Sequence, residues 1–460
     1  MGEASVPGAP RPPLSVAELR ADIAAGRVET VLVAMTDMQG RLQGKRVTAR
    51  FFLDEVLEHG TEACTYLLGV DVEMNTVGGY EITSWQNGYG DFLLRPDLAT
   101  LRRIPWHPAT ALVLCDVLTL AGDPVRPSPR QVLRAQLERL ASHGLRASAA
   151  TELEFDLLRV SYEEAAATGY RDLRPANGYN VDYSLLGTGR VEPLLRRLRT
   201  EMDGAGLYCE SAKGECNLGQ HEVAFRYADA LTTCDQHSVY KTGAKEIAAQ
   251  EGMSLTFMAK LDEREGNSCH VHLSLTDPEG RGVFAEGPGT DMTPLFRSFL
   301  AGQLAALREL TLLLAPNVNS YKRFAAGSFA PTAVAWGYDN RTCALRVVGH
   351  GPSLRMENRV PGGDANPYLA VAALLAAGLH GVENELELPA PTTGNAYTGD
   401  AERVPTTLRE AVGLFERSQV ARAAFGADVV AHYARAAHVE LEAFDAAVTD
   451  WERVRGFERL

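Results

Sequence analysis

Paired cysteines are missing from this 460-residue chain. The cysteines it has (Cys64, Cys115, Cys209, Cys216, Cys234, Cys269 and Cys343) are scattered, with no C-x-x-C spacing. That excludes a disulfide framework and a cysteine-built zinc site, and makes a reducing cytoplasm the expected compartment. A long apolar run is missing too. The longest, Leu369 to Leu379, is Ala-rich and well below the roughly 20 residues of a bilayer-spanning helix, so no membrane partner is expected. Basic residues are in deficit, 45 Lys and Arg against 59 Asp and Glu, and a net charge of −14 argues against a nucleic-acid partner. The opening MGEASVPGAPRPPL has no basic region followed by an apolar stretch, so residues 1–15 read as a flexible Pro-rich leader and not a signal peptide. A Walker-type G-x-x-x-x-G-K-[ST] is also absent, so a nucleotide would not be held by a P-loop.

What is present is an ordinary globular balance, 45% hydrophobic and 23% charged, in a chain long enough for one large domain with a smaller companion. VETVLVAMTD and RLQGKRV read as strands joined by a turn at Asp37-Met38-Gln39-Gly40, and Ala111–Leu118 as a further buried strand. The break at Ala121–Pro124 marks a boundary near residue 121, and Ser128-Pro129 signals a cap and first turn for the helix that follows. Helices are expected over about 191–205, 229–251, 291–314, 365–385 and 406–424. The Pro/Gly/Thr-rich segment 386–405 reads as a long loop, either a functional lid or a mobile surface segment.

Chemistry is carried by strand-like segments in which charged and apolar residues alternate. In Thr151–Phe155, Glu152 and Glu154 share one face; in Cys269–Ser274, His270, His272 and Ser274 do; in Leu354–Arg359, Arg355, Glu357 and Arg359 do. Glu215 and Glu222 are an odd number apart, which a straight strand would send to opposite faces, but Asn217 and Gly219 predict a turn that brings both to one place. Each piece alone has a plain reading as a solvated face or a surface ion pair. Together they imply a centre. Two like charges ~4 Å apart repel by about 4 kcal/mol at an effective dielectric of 20. Five gathered carboxylates therefore require cations, and oxygen-rich ligation with one imidazole suits Mg²⁺ or Mn²⁺. Such a centre facing Arg323, Arg341, Arg346, Arg355 and Arg359 describes phosphoryl transfer.

The ordered motifs TELEF (151–155), GECNLGQHEV (214–223), GNSCHVHLS (266–274), NSYKRF (319–324), NRTCALR (340–346), RMENR (355–359) and DANPYLAVAALLAAG (364–378) resemble the glutamine synthetase superfamily from about residue 16 onward. The resemblance implies an α+β fold: a small N-terminal β-grasp domain over 16–121 and a large catalytic domain over 122–460, with a curved antiparallel sheet flanked by helices. It implies one metal at Glu154, Glu215 and Glu222 and a second at Glu152, His270 and Glu357, thus two or more Mg²⁺ or Mn²⁺ per active site. Arg323 and Arg359, with the backbone at Gly266, would hold glutamate. His272, Ser274 and Arg355 would contact ATP as substrate, and Arg341 and Arg346 would neutralise its phosphates, with Arg341 also in a catalytic role. It further implies a homo-oligomer, a dodecamer of two hexameric rings, with each site shared between neighbours.

Departures from that pattern point to the substrate. Ammonia-using members end the loop after the glutamate-binding arginine in a glutamate that binds ammonium and takes its proton; here Phe329 stands in its place. Asp71 or Glu73, from a neighbouring subunit, is the candidate for the N-terminal acid of the family and for the base. The family's N-G-S-G reads Glu265-Gly266-Asn267-Ser268, and the surroundings of Tyr397 do not match the adenylylated-tyrosine motif. The expectation is a γ-glutamyl-amine ligase, of the ethanolamine/polyamine branch. It would join the γ-carboxylate of L-glutamate to a primary amine through γ-glutamyl phosphate, leaning to a small monoamine such as ethanolamine. Rival readings are a γ-glutamylpolyamine synthetase, a true glutamine synthetase with a displaced base, a non-catalytic nitrogen-sensing or structural relative, and a guanidino-kinase-like phosphotransferase.

Overall fold

The computed structural model describes residues 14–460. The expected leader lies outside the described residues except for its last two positions, and those are fixed in place. Leu14 is buried, its N–H donating to the Leu101 carbonyl at 2.7 Å, and Ser15 closes a capping box with Glu18 on the helix Val16–Ala24.

Six strands make the first sheet: β1 (Thr30–Thr36), β2 (Leu42–Thr48), β3 (Thr61–Cys64), β4 (Asp91–Pro96), β5 (Arg102–Arg103) and β6 (Thr110–Leu118). Their order is β2-β1-β6-β4-β3, with β5 on β6 and β1 parallel to β6. Strand β6 is central and covered on both faces, which is why it reads as a continuous apolar run and not as an alternation. The β1–β2 turn forms because Asp37 Oδ1 accepts from the N–H groups of Gln39 and Arg41, while Gly40 takes φ +79°.

The second sheet has nine strands: β7 (Arg146–Leu158), β8 (Cys209–Gly214), β9 (Gln220–Phe225), β10 (Ala228–Asp229), β11 (Ser254–Thr256), β12 (Cys269–Thr276), β13 (Trp336–Tyr338), β14 (Leu345–Val348) and β15 (Arg355–Asn358). The order β13-β14-β15-β12-β7-β9-β8 is antiparallel except that β13 runs parallel to β14. The sheet is thus antiparallel, as expected, with one parallel pair at its edge. The segment between β13 and β14 is pinned to the 386–405 segment by Asn340 Nδ2, which donates to the Gly394 carbonyl at 2.8 Å.

Helices Glu192–Gly204, Ala230–Gln250, Pro294–Leu314 and Pro367–Glu383 fall where the sequence places them. Pro294–Leu314 and Pro367–Glu383 approach so closely that a Cβ on Gly381 would lie 2.0 Å from the Ser298 carbonyl. The single helix expected over 406–424 is two, Leu408–Arg417 and Gln419–Phe425. Ser418 breaks it with an extended backbone and caps the second piece through Ala421 N–H at 2.9 Å. Pro129 opens the helix Pro129–Ser142 as expected, but the Ser128 hydroxyl is buried without a hydrogen-bond partner and caps nothing. The 386–405 segment is tethered beside β13, with Thr392 N–H donating to the Trp336 carbonyl and Val334 N–H to the Glu402 carbonyl.

The two sheets are locked together by polar side chains. Buried Arg130 pairs with Asp97 and Asp116 of the first sheet region and with Asp235 of the helix Ala230–Gln250, at 2.7, 2.6 and 2.9 Å. Asn366 Nδ2 donates to both the Asp37 and Met38 carbonyls at 3.1 Å, and its Oδ1 accepts from Tyr368 N–H. Among the described residues no helix is long and apolar enough to cross a membrane.

Candidate active site

Strand register assembles the site. On β7, Glu154 faces Glu222 of β9, and Glu222 faces Lys213 of β8. Glu152 faces His270 of β12, while His272 faces Glu357 of β15, which in turn faces Arg346 of β14. Period-two alternation puts all of these on one face of one sheet, with the apolar partners Leu153, Val271 and Met356 buried on the other. The Glu215–Glu222 turn is present: Glu215 N–H donates to the Gln220 carbonyl at 2.9 Å, and Gly219 takes φ +74° beneath the Leu157 carbonyl.

These side chains form two clusters. Carboxylate oxygens of Glu154, Glu215 and Glu222 lie within 4.8 Å of one another, and so do ligand atoms of Glu152, His272 and Glu357. His270 Nδ1 is 3.3 Å from both Glu152 and Glu357. His272, expected at the nucleotide, is thus drawn to the second carboxylate set as well: its Nε2 meets Glu152 at 2.8 Å, while its Nδ1 accepts from Arg355 Nε at 3.2 Å. Arg346 and Arg359 each bond one oxygen of Glu357, at 2.8 and 2.6 Å.

Electrostatics separates the clusters. Burial pushes Glu222 up to about 8; Lys213 pulls the other way, and Glu152, Glu154 and Glu357 add to the rise. Burial also opposes ionisation of Glu152, but hydrogen bonds from His270 and His272 outweigh it and hold that carboxyl low. Glu357 is likewise held low against its burial by His270, Arg359 and His272. His270 is shifted downward, by burial first and then by Arg359. A neutral imidazole among oxygen donors, beside carboxylates crowded without full compensation, fits a hard divalent cation.

The clusters open on a cavity of about 350 Å³ also lined by Gly266, Arg323, Phe329, Arg341, Arg346 and Arg359. Arg323 is buried and donates to the carbonyls of Arg359, Val360 and Pro361. Gly266 has no room for a side chain: a Cβ would lie 2.2 Å from the Ala259 carbonyl and 2.9 Å from Arg323 Cγ. Phe329 stands half exposed in the wall at φ +58°, its carbonyl accepting from Arg359 at 3.3 Å. Asn267 turns inward, where its amide donates to Asp156 and Met258 and accepts from Gln220.

Other expected residues lie elsewhere. Ser274 and Arg355 continue the same sheet face beyond the cavity lining, and Tyr397 is half-buried in the 386–405 segment. Asp71 is not in this chain's own cavity. Its carboxylate accepts from Glu73 N–H, Asn75 N–H and Asn75 Nδ2, closing its own loop. Sequence reasoning missed Lys213, Asp182, Tyr183 and Cys216, which line the cavity beside Glu215. Lys213 was within reach, since a hairpin pivoting between Glu215 and Gln220 sets residue 213 opposite 222. Cys216 lies in the predicted turn itself, while Asp182 and Tyr183 come from an irregular segment with no periodic signal.

A family model described as glutamine synthetase, catalytic domain, matches residues 126–455. The chain belongs to the glutamine synthetase family. This family member is 69% identical over 98% of its length to the γ-glutamylethanolamide synthetase of Streptomyces coelicolor, covering 97% of that protein. It is 39% identical to a glutamate–isopropylamine ligase from a Pseudomonas species, across 96% of this chain and 97% of the relative. In structure it is similar to GmaS in complex with ADP, with a TM-score of 0.84 and 28% identity, over 96% of this chain and 99% of that one. Its relatives are ligases, named as glutamate–amine ligases and glutamine synthetases, in a family generally dependent on ATP and divalent metal.

Proposed function

We propose that this protein is an ATP-dependent ligase that joins the γ-carboxylate of L-glutamate to a small primary amine, with ethanolamine the foremost candidate. The observation that carries the reading is the pairing of a carboxylate-lined, arginine-ringed cavity with an apolar ring, Phe329, in its wall. The 69% identity to a γ-glutamylethanolamide synthetase supports the choice of amine.

Glu154, Glu215 and Glu222 would hold one Mg²⁺ or Mn²⁺, and Glu152, His270 and Glu357 a second. Bound there, the ions would offset phosphate charge while the phosphoryl group is transferred. Arg323 and Arg359, already positioned by backbone carbonyls and Glu357, orient glutamate so that its γ-carboxylate oxygen attacks the terminal phosphorus of ATP and ADP leaves. Arg346, which shares the Glu357 carboxylate with Arg359, and Arg341 would face the transferring group, with Arg341 stabilising the developing charge. His272 and Arg355 extend the nucleotide side along the sheet, with Ser274 one step beyond. The amine nitrogen then attacks the acyl carbon, phosphate departs with the C–O pair, and the nitrogen loses a proton. Phe329 can neither pair with ammonium nor accept its proton, so it favours a nucleophile with a carbon chain. Asp71 or Glu73 of a neighbouring subunit in a ring-shaped dodecamer is the candidate base. The working compartment is the cytoplasm, where the substrates are small molecules.

An amine panel with mass-spectrometric detection of the γ-glutamyl product tests this. Ethanolamine should turn over faster than ammonium, putrescine or spermidine at equal millimolar concentration. Free glutamine formed from ammonium as fast as any amide would refute it.

A further inference from the structure

We propose that Lys213 is a tethered cation that occupies the Glu154/Glu215/Glu222 cluster until a divalent ion displaces it, and so sets that cluster's affinity for metal. The inference rests on reading these three residues as a metal site.

Three observations carry it. The register Lys213–Glu222–Glu154 forms one cross-strand row, so the lysine is built into the cluster by the sheet and does not merely drift over it. Its ammonium bonds the Glu215 carboxylate and stands 3.9 Å from Glu222 Oε1. It therefore sits among the same oxygens that would ligate an ion. Finally, Nζ lies 5.0 Å from the centroid of the Tyr183 ring, which offers a second seat on the same cavity wall. Tyr183 is held at φ +52°, a left-handed conformation that a bulky aromatic residue rarely adopts, and that backbone turns the ring out beside the lysine.

A divalent ion and the ammonium compete for these oxygens, because two positive charges held so close repel. The acids outnumber the one lysine, so the cluster still attracts the ion but with a competitor already in place. The competitor leaves the carboxylates without leaving the protein, by rotation of its flexible stem toward the Tyr183 face. In the metal-free protein the same ammonium limits repulsion among the three acids.

The test uses the full-length protein, calorimetric titration with Mn²⁺ alone, and thermal melting in chelator. Lys213→Met should tighten Mn²⁺ binding about tenfold, since the competing ligand is gone. It should also lower the melting temperature in chelator, with the loss restored by Mn²⁺. Lys213→Arg, which keeps the charge, should stay near wild type in both. If Lys213→Met does not fold, Lys213→Gln is read in the same way. Unchanged or weakened Mn²⁺ binding in the neutral variant, or an unchanged melting temperature in chelator, would overturn the proposal. Absence of saturable Mn²⁺ binding in the wild type would overturn the metal reading beneath it, a separate result.

Discussion

Two acidic clusters share one face of one sheet, yet they are neutralised differently. Around Glu357 the chain supplies its own counter-charges: Arg346 and Arg359 take one oxygen each, and His270 and His272 bridge to Glu152. Around Glu222 a single lysine serves Glu215 and Glu222, Glu154 accepts only neutral N–H groups of Gln220 and Ser268, and burial pushes Glu222 up to about 8. The first arrangement is a finished ion-pair network and the second an unfinished one. Similar residue types on neighbouring strands thus differ in degree: one cluster also positions arginines, and the other is the more in want of a cation.

The sharpest way to break the contrast is Glu357→Ala. It removes a carboxylate that would hold metal and frees two arginines, so phosphate release with every amine should fall by at least ~10³-fold. Retained turnover would show that the network is not part of the chemistry. Next comes metal-free stability measured by chemical denaturation in chelator. Glu357→Gln should destabilise by about 3 kcal/mol, because Arg359 is buried and loses its partner. Glu222→Gln should leave stability unchanged or raise it slightly, since burial already favours the neutral form of Glu222 and the amide is neutral too. Equal losses in the two variants would erase the distinction. Phe329→Glu should raise the ratio of ammonium to ethanolamine turnover about tenfold, read from competing-substrate product ratios. An unchanged ratio would place nucleophile choice elsewhere.

The smallest effect sets a baseline away from both clusters. Burial pulls His432 down to about 4, below its ordinary value near 6.5, so the folded state resists protonation that the unfolded chain accepts. Its contribution is complete above pH 6.5 and erodes as pH falls toward 4. Between pH 7.5 and 5.5 this amounts to about 1 kcal/mol. His432→Gln should shrink the stability difference between those two pH values by that amount, and an unaltered difference would exclude the role.

Much of this was readable in advance because strands write their faces into sequence. The E-x-E and H-x-H spacings name the residues that share a surface, and the Asn217–Gly219 turn explains how an odd spacing still converges. Pairing between strands is another matter. Nothing in the local pattern says that His272 will face Glu357 or that β13 will run parallel to β14, because register is fixed by long-range contacts. Ser418 shows the local counterpart: helical periodicity runs on through 406–424, and only the cap geometry reveals the break. Asp71 marks a different limit, since a carboxylate that closes its own loop has the same sequence appearance as one aimed at a ligand.

Asn366 spends both polar ends of its amide where the first sheet meets the second, on Asp37, Met38 and the start of the helix Pro367–Glu383. Greasy packing between two halves tolerates sliding, but a carboxamide with three fixed correspondents does not. It acts as a key that admits one docking orientation, so a Leu at this position would keep the volume and surrender the alignment.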